Sequence, residues 1–124
     1  MIVISGISEI DTEQYDYVWY ITNNCPSMKV GCEHHKELAP FIGSYMKYRK
    51  DLISLDNLLN DYGQALWAGK YKEAIDKLIY LSEQGKWIQL VCYCSDYTKC
   101  HRYVLYKYLS MCYNQVILLD EPLL

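Results

Sequence analysis

The chain has 124 residues and a formal charge of −3, from 12 basic and 15 acidic side chains. That length suits one domain, which buries roughly two-thirds of the surface its unfolded chain exposes. The acidic balance excludes broad, sequence-independent nucleic-acid binding, which needs a basic face, but leaves room for a local pocket for one phosphate.

A β-branched run over residues 1–5 predicts the first strand, and residues 16–22 (DYVWYIT) a second, dense in aromatic and β-branched side chains. Asn23, Asn24, Cys25, Pro26 and Ser27 then read as a loop, since Pro26 cannot pair inside a sheet. The stretch from there to Pro40 reads as irregular, a long connection of the kind that often carries function. Helical spacing follows after Pro40. Ser54 or Asp56 caps a second helix with the apolar set Leu55, Leu58, Leu59, Tyr62 and Leu66, and Gly69 stops it. Residues 71–84 predict a third helix that turns Ala74, Ile75, Leu78, Ile79 and Leu81 inward and ends at Gly85.

Residues 87–93 (WIQLVCY) predict a buried central strand, residues 95–99 a polar turn, and Cys100 the start of a fourth helix. Residues 115–119 (QVILL) give a last strand before an acidic tail broken by Pro122. A strand–turn–helix–strand ending implies a βαβ unit. The expected fold is therefore α/β: a single domain over residues 1–124, with a partly parallel sheet of about four strands flanked by helices.

The six cysteines could form disulfides, but that reading wants a secretory context. The first residues lack a basic n-region and a long apolar h-region, and no run is long enough to span a membrane. Reduced thiols, a cytoplasmic location and no membrane association are expected.

The richest chemistry lies between Cys92 and Arg102, where a strand runs out into a turn and a helix begins. Open α/β sheets bind ligands at such strand ends, and the first-turn N–H groups of a helix attract anions. Arg102 offers a fork for phosphate or carboxylate, and Cys100 a thiol whose pKa the same field lowers. His101 offers a general base. Cys92, Cys94, Cys100 and His101 also total the four ligands of a structural zinc site. Cys92 and Cys94 on one strand would share a face, but adjacent Cys100 and His101 on a helix would diverge by about 100°. A looser metal set is Cys25, Cys32, His34 and His35. No metal ligand is assigned from this pattern, and no cofactor is expected, with zinc the open alternative. Fourteen tyrosines against one phenylalanine read as core filler for most, with a few near residue 100 free to stack a base or sugar.

Three stretches resemble the DUF488 family of small α/β proteins. They are Thr22 to Pro26 at the end of the second strand, the Leu38-Ala39-Pro40 segment, and an apolar strand ending in Cys92 followed by Cys100-His101-Arg102 with Leu105 three residues on. Cys94 stands where relatives often carry Glu, and Asn23 and Asn24 replace their usual basic or hydroxyl residues. The resemblance implies a site formed by Cys92, Cys100, His101 and Arg102, closed by the loops that hold Asn24, Cys25 and Pro40. It implies no agreed reaction.

The expected function is binding of a small phosphorylated or nucleotide-like ligand around Cys92 to Arg102. Arg102, Asn23, Asn24, Cys25, Pro40, Tyr93 and Cys94 would hold it, and Cys100, His101 and Cys92 are the catalytic group if a reaction follows. Two alternatives stand beside it: a zinc-stabilised protein-interaction module, and a protein from a mobile genetic element that sequesters the ligand without chemistry. The oligomeric state is left open.

Overall fold

The computed structural model describes residues 1–94 and 96–119. Five parallel strands form one sheet: β1 (Ile2–Gly6), β2 (Tyr17–Tyr20), β3 (Glu33–His34), β4 (Ile88–Cys92) and β5 (Val116–Leu118), in the spatial order β3-β2-β4-β1-β5. Four helices accompany it: α1 (Ile42–Arg49), α2 (Leu55–Ala65), α3 (Gly69–Glu83) and α4 (His101–Cys112). The α/β class is as expected. Every pairing is parallel, and a fifth strand, β3, lies in the stretch that reads as irregular.

The crossing pattern explains where the layers fall. The chain steps one way across the sheet from β1 to β2 to β3, then back the other way through β4 to β5. Right-handed crossovers must then lie on opposite faces for the two directions. Accordingly, all four helices come from the return half of the path. Leu58, Tyr62, Leu66, Ile75, Leu78, Leu105 and Leu109 cover the face that carries Ile2, Ile4, Trp19, Ile88, Leu90 and Cys92. The outward connections supply Tyr15, Cys25 and Cys32 to the opposite face, over Val3, Val18, Tyr20 and Val91. Residues alternate between these faces along each strand, as the pleat requires.

Local signals set the element ends. Ser54 caps α2 by accepting from Asn57 N–H at 3.1 Å. Gly69 stands at the start of α3 with φ +63 rather than closing α2, so it reverses the chain between the two helices. Gly85 (φ +85) ends α3 in a Schellman pair, with its N–H on Ser82 O at 3.0 Å and Lys86 N–H on Leu81 O at 3.2 Å. The acidic tail beyond Leu119 and Ser95 in the polar turn lie outside the described residues.

On the loop-covered face, buried Gln89 ties the outward connection to the sheet. Its amide donates to Ser5 Oγ (2.9 Å) and Glu9 O (2.7 Å), and its oxygen accepts from Asp11 N–H (3.1 Å). Gln89→Leu fills similar space but strands a backbone N–H and a carbonyl. It should cost about 2 kcal/mol of stability, read as a lower urea midpoint at unchanged slope. An unshifted midpoint would show that these bonds do not anchor residues 7–16.

Candidate functional site

The connections after β2 and β4 leave toward opposite faces although the two strands are neighbours. Such a divergence opens a crevice beyond the strand carboxyl ends. A cavity of about 450 Å³ lies there. Thr22, Asn23 and Asn24 enter from the end of β2, and Cys92, Tyr93, Cys94, Lys99, Cys100 and His101 from the turn after β4. Pro40, Tyr45, Tyr48 and Arg49 of the α1 region and Leu55, Leu58 and Leu59 of α2 close it.

The rim is tied down. Asn23 Nδ2 donates to Pro40 O at 2.9 Å, and Thr22 Oγ1 to Asn24 O at 2.6 Å. The buried Tyr62 hydroxyl donates to Leu38 O at 2.5 Å and the Tyr71 hydroxyl to Ala39 O at 2.7 Å, which hold the segment carrying Pro40. On the far wall, Arg49 Nη1 donates to the Tyr45 hydroxyl at 3.2 Å.

The floor is sulfur-rich. Cys92 ends β4, and Cys100 is the residue before α4; both are buried, whereas Cys94 is exposed. The sulfurs of Cys92, Cys94 and Cys100 all lie within 4.8 Å of one another, close enough to share a metal ion. Cys92 Sγ is 3.2 Å from Cys100 Sγ and 3.9 Å from Cys94 Sγ. His101 places Nδ1 3.9 Å from Cys92 Sγ and 3.7 Å from Cys100 Sγ. Its Nε2 lies 2.6 Å from Ile21 O, a pure acceptor, so Nε2 carries the proton. In the neutral ring the lone pair therefore sits on Nδ1, facing the sulfurs.

The expected divergence of Cys100 and His101 does not occur. Cys100 has φ −119 and ψ 147, an extended cap rather than a helical residue, so its side chain converges with that of His101. The three thiols titrate unequally. Cys94 is pushed well below the ordinary thiol range, by hydrogen bonds from Cys100 and Cys92 and by the nearby His101 and Arg102. At Cys92 the bond from Cys100 lowers the pKa, but its bond to Cys94 and burial outweigh this and push it up to about 11. Cys100 is raised strongly by its bonds to Cys92 and Cys94 and by burial. Of the three thiols, the most exposed one is thus the one pushed down and the two buried ones are pushed up.

The model of DUF488-N3a, described as the active DUF488-N3 subclade, matches residues 24–111. The chain belongs to the DUF488 family. No curated protein and no solved structure matches it. The region that the DUF488 match covers runs from the loop after β2 through α4, and holds every described cavity-lining residue except Thr22 and Asn23.

Of the residues expected to bind ligand in this DUF488 chain, Asn23, Asn24, Pro40, Tyr93 and Cys94 line the cavity, and Cys92, Cys100 and His101 form its floor. Cys25 lies behind Tyr93, whose hydroxyl is 3.8 Å from the Cys25 sulfur. Arg102 is fully buried and is not among the lining residues; its Nη1 donates to Cys94 O at 2.7 Å, so it supports the turn. The lining residues not among the expected site residues are Thr22, Tyr45, Tyr48, Arg49, Leu55, Leu58, Leu59 and Lys99. The basic end of α1 was the legible signal for Arg49. Among the described residues, no metal-holding group includes Cys25, Cys32, His34 or His35. His34 Nε2 instead bonds Thr22 O, and the His35 ring stacks on Trp19 at 3.8 Å.

Proposed function

We propose that the cavity binds a small phosphorylated, nucleotide-like ligand. One observation carries the reading: in a chain of net charge −3, the described cavity wall holds Arg49 and Lys99 and no carboxylate. A local positive field in an acidic protein selects an anion. The site also lies at the end of a parallel sheet, beside the start of α4, where backbone N–H groups favour phosphate. Tyr45, Tyr48, Tyr93, Asn23 and Asn24 add flat faces and amide edges suited to a base, and the volume accommodates a nucleoside monophosphate.

The thiol and imidazole floor lies within reach of such a ligand, and the description of the family group as active favours a reaction there over sequestration. Cys92, Cys100 and His101, with Cys94 beside them, are the groups to carry it. A zinc ion held by the cysteine cluster is compatible with ligand binding, since it would sit on the cavity floor, but thiols engaged by a metal would not be free to react. The free thiols suit a reducing compartment such as the cytoplasm. No helix among the described residues is long and apolar enough to cross a membrane.

A thermal-shift series tests the reading with inorganic phosphate, ribose 5-phosphate, a nucleoside and its monophosphate. The monophosphate should raise Tm most, since saturation at 100 times Kd adds about 2.7 kcal/mol. A series in which no phosphorylated compound raises Tm would end the proposal.

A further inference from the structure

We propose that Cys92, Cys94, Cys100 and His101 Nδ1 together bind one zinc ion, or a thiophilic divalent cation of like geometry, at the floor of the cavity. The distances carry it. A tetrahedral zinc with Zn–S near 2.3 Å sets its sulfurs about 3.8 Å apart and a ligating ring nitrogen about 3.6 Å from each sulfur. The protein holds two sulfur pairs at 3.2 and 3.9 Å and the third within 4.8 Å. Nδ1 lies 3.9 and 3.7 Å from two of them. The three sulfurs thus lie mutually near the spacing the ion requires, and the imidazole nitrogen stands at that spacing from the two buried ones.

The second observation is the tether of His101. A metal-bound imidazole characteristically donates its other N–H to a carbonyl or carboxylate, which fixes the tautomer and aims the lone pair. Ile21 O plays this part at 2.6 Å, and the Tyr62 ring packs edge-on against the imidazole at 5.3 Å. Arg102 performs the matching service for Cys94, whose carbonyl it holds at 2.7 Å. Both ligand-bearing residues after the strand are therefore oriented by groups that do not themselves touch the cluster's centre.

Binding follows a balanced course. The ion enters as Zn²⁺, the thiol protons are released to solvent, and neither metal nor sulfur changes oxidation state. All four residues line the cavity, and Cys94 is the most exposed donor among them. This proposal goes beyond ligand binding and does not depend on it: zinc content is read without any phosphorylated compound, and ligand binding is read through Arg49 and Lys99.

The test uses the full chain, untagged, purified under reductant, loaded with zinc and freed of loosely held metal on a desalting column. Elemental analysis should find one zinc per chain. A chromophoric chelator should extract it readily from Cys94→Ala and Cys92→Ser but slowly from the wild type and from Cys112→Ser, whose thiol is exposed at the end of α4. Cys94→Ala removes no core packing, so it remains informative if Cys92→Ser does not fold. Cobalt substitution should give thiolate-to-metal charge-transfer bands, with the ligand-field bands moving in His101→Asn. A reduced wild type that retains no zinc, or Cys94→Ala holding it as tightly as wild type, would overturn the site. Unmoved cobalt bands in His101→Asn would overturn the assignment of its nitrogen.

Discussion

Arg102→Ala should lower the unfolding free energy by about 3 kcal/mol and Tm by roughly 10 °C. The guanidinium is completely buried and donates to Cys94 O at 2.7 Å. A bond from a charged donor contributes about 1.5–3 kcal/mol, and loss of the buried stem adds a packing term. The Cys94 carbonyl would also lose a donor in the turn that carries its sulfur. Arg102→Met keeps much of the volume and should recover part of the loss, which separates packing from hydrogen bonding. Calorimetric unfolding of the three proteins reads both differences. An alanine variant that melts with the wild type would show that the turn stands without its guanidinium.

The paired substitution Arg49→Gln and Lys99→Gln should weaken a nucleoside monophosphate by about 100-fold or more, if each cation makes one charge-assisted contact. Both residues are exposed, so folding stability should stay within about 0.5 kcal/mol. That separation matters: the loss is to be read as affinity at constant Tm. The parent nucleoside, lacking the phosphate, should bind both proteins alike. Isothermal titration of each protein with each compound gives the four affinities. Equal monophosphate affinity in the two proteins would remove these cations from the account.

Much of the fold was legible because its signals are local. The second and third helices follow a 3.6 period, Ser54 caps one, and Gly85 stops the other. The strand of residues 88–92 reads as buried because every residue in it is apolar or tied internally, down to Gln89. β3 escaped notice for a physical reason. It is Glu33 and His34, polar and exposed at the sheet edge, and only pairing with Trp19 and Tyr20 defines it. Charged edge strands protect against intermolecular pairing and carry no hydrophobic alternation to read.

The site was legible in its letters more than in its directions. The motif from Cys92 to Arg102 marked a turn that borders the cavity, since a parallel strand end is where the fold opens. Arg102 was expected as an anion fork, yet it lies on a stripe with Leu105 and Leu109, at helical spacing, and goes inward with them. That i, i+3, i+7 pattern was readable, but a buried arginine is rare enough that charge dominated the reading. The convergence of Cys100 and His101 was not readable: it depends on Cys100 staying extended as a cap, one residue before the helix begins. Arg49, Tyr45 and Tyr48 reach the cavity only because the return path folds α1 and α2 over the strand ends.

Binding of an anion in this cavity is read from backbone amide shifts of the labelled chain titrated with a nucleoside monophosphate. Saturable shifts should cluster at Asn23, Asn24, Arg49, Lys99 and His101. Shifts gathered instead at the cleft between α2 and α4, around Trp67, Tyr103 and Lys107, or none at saturating ligand, would contradict it.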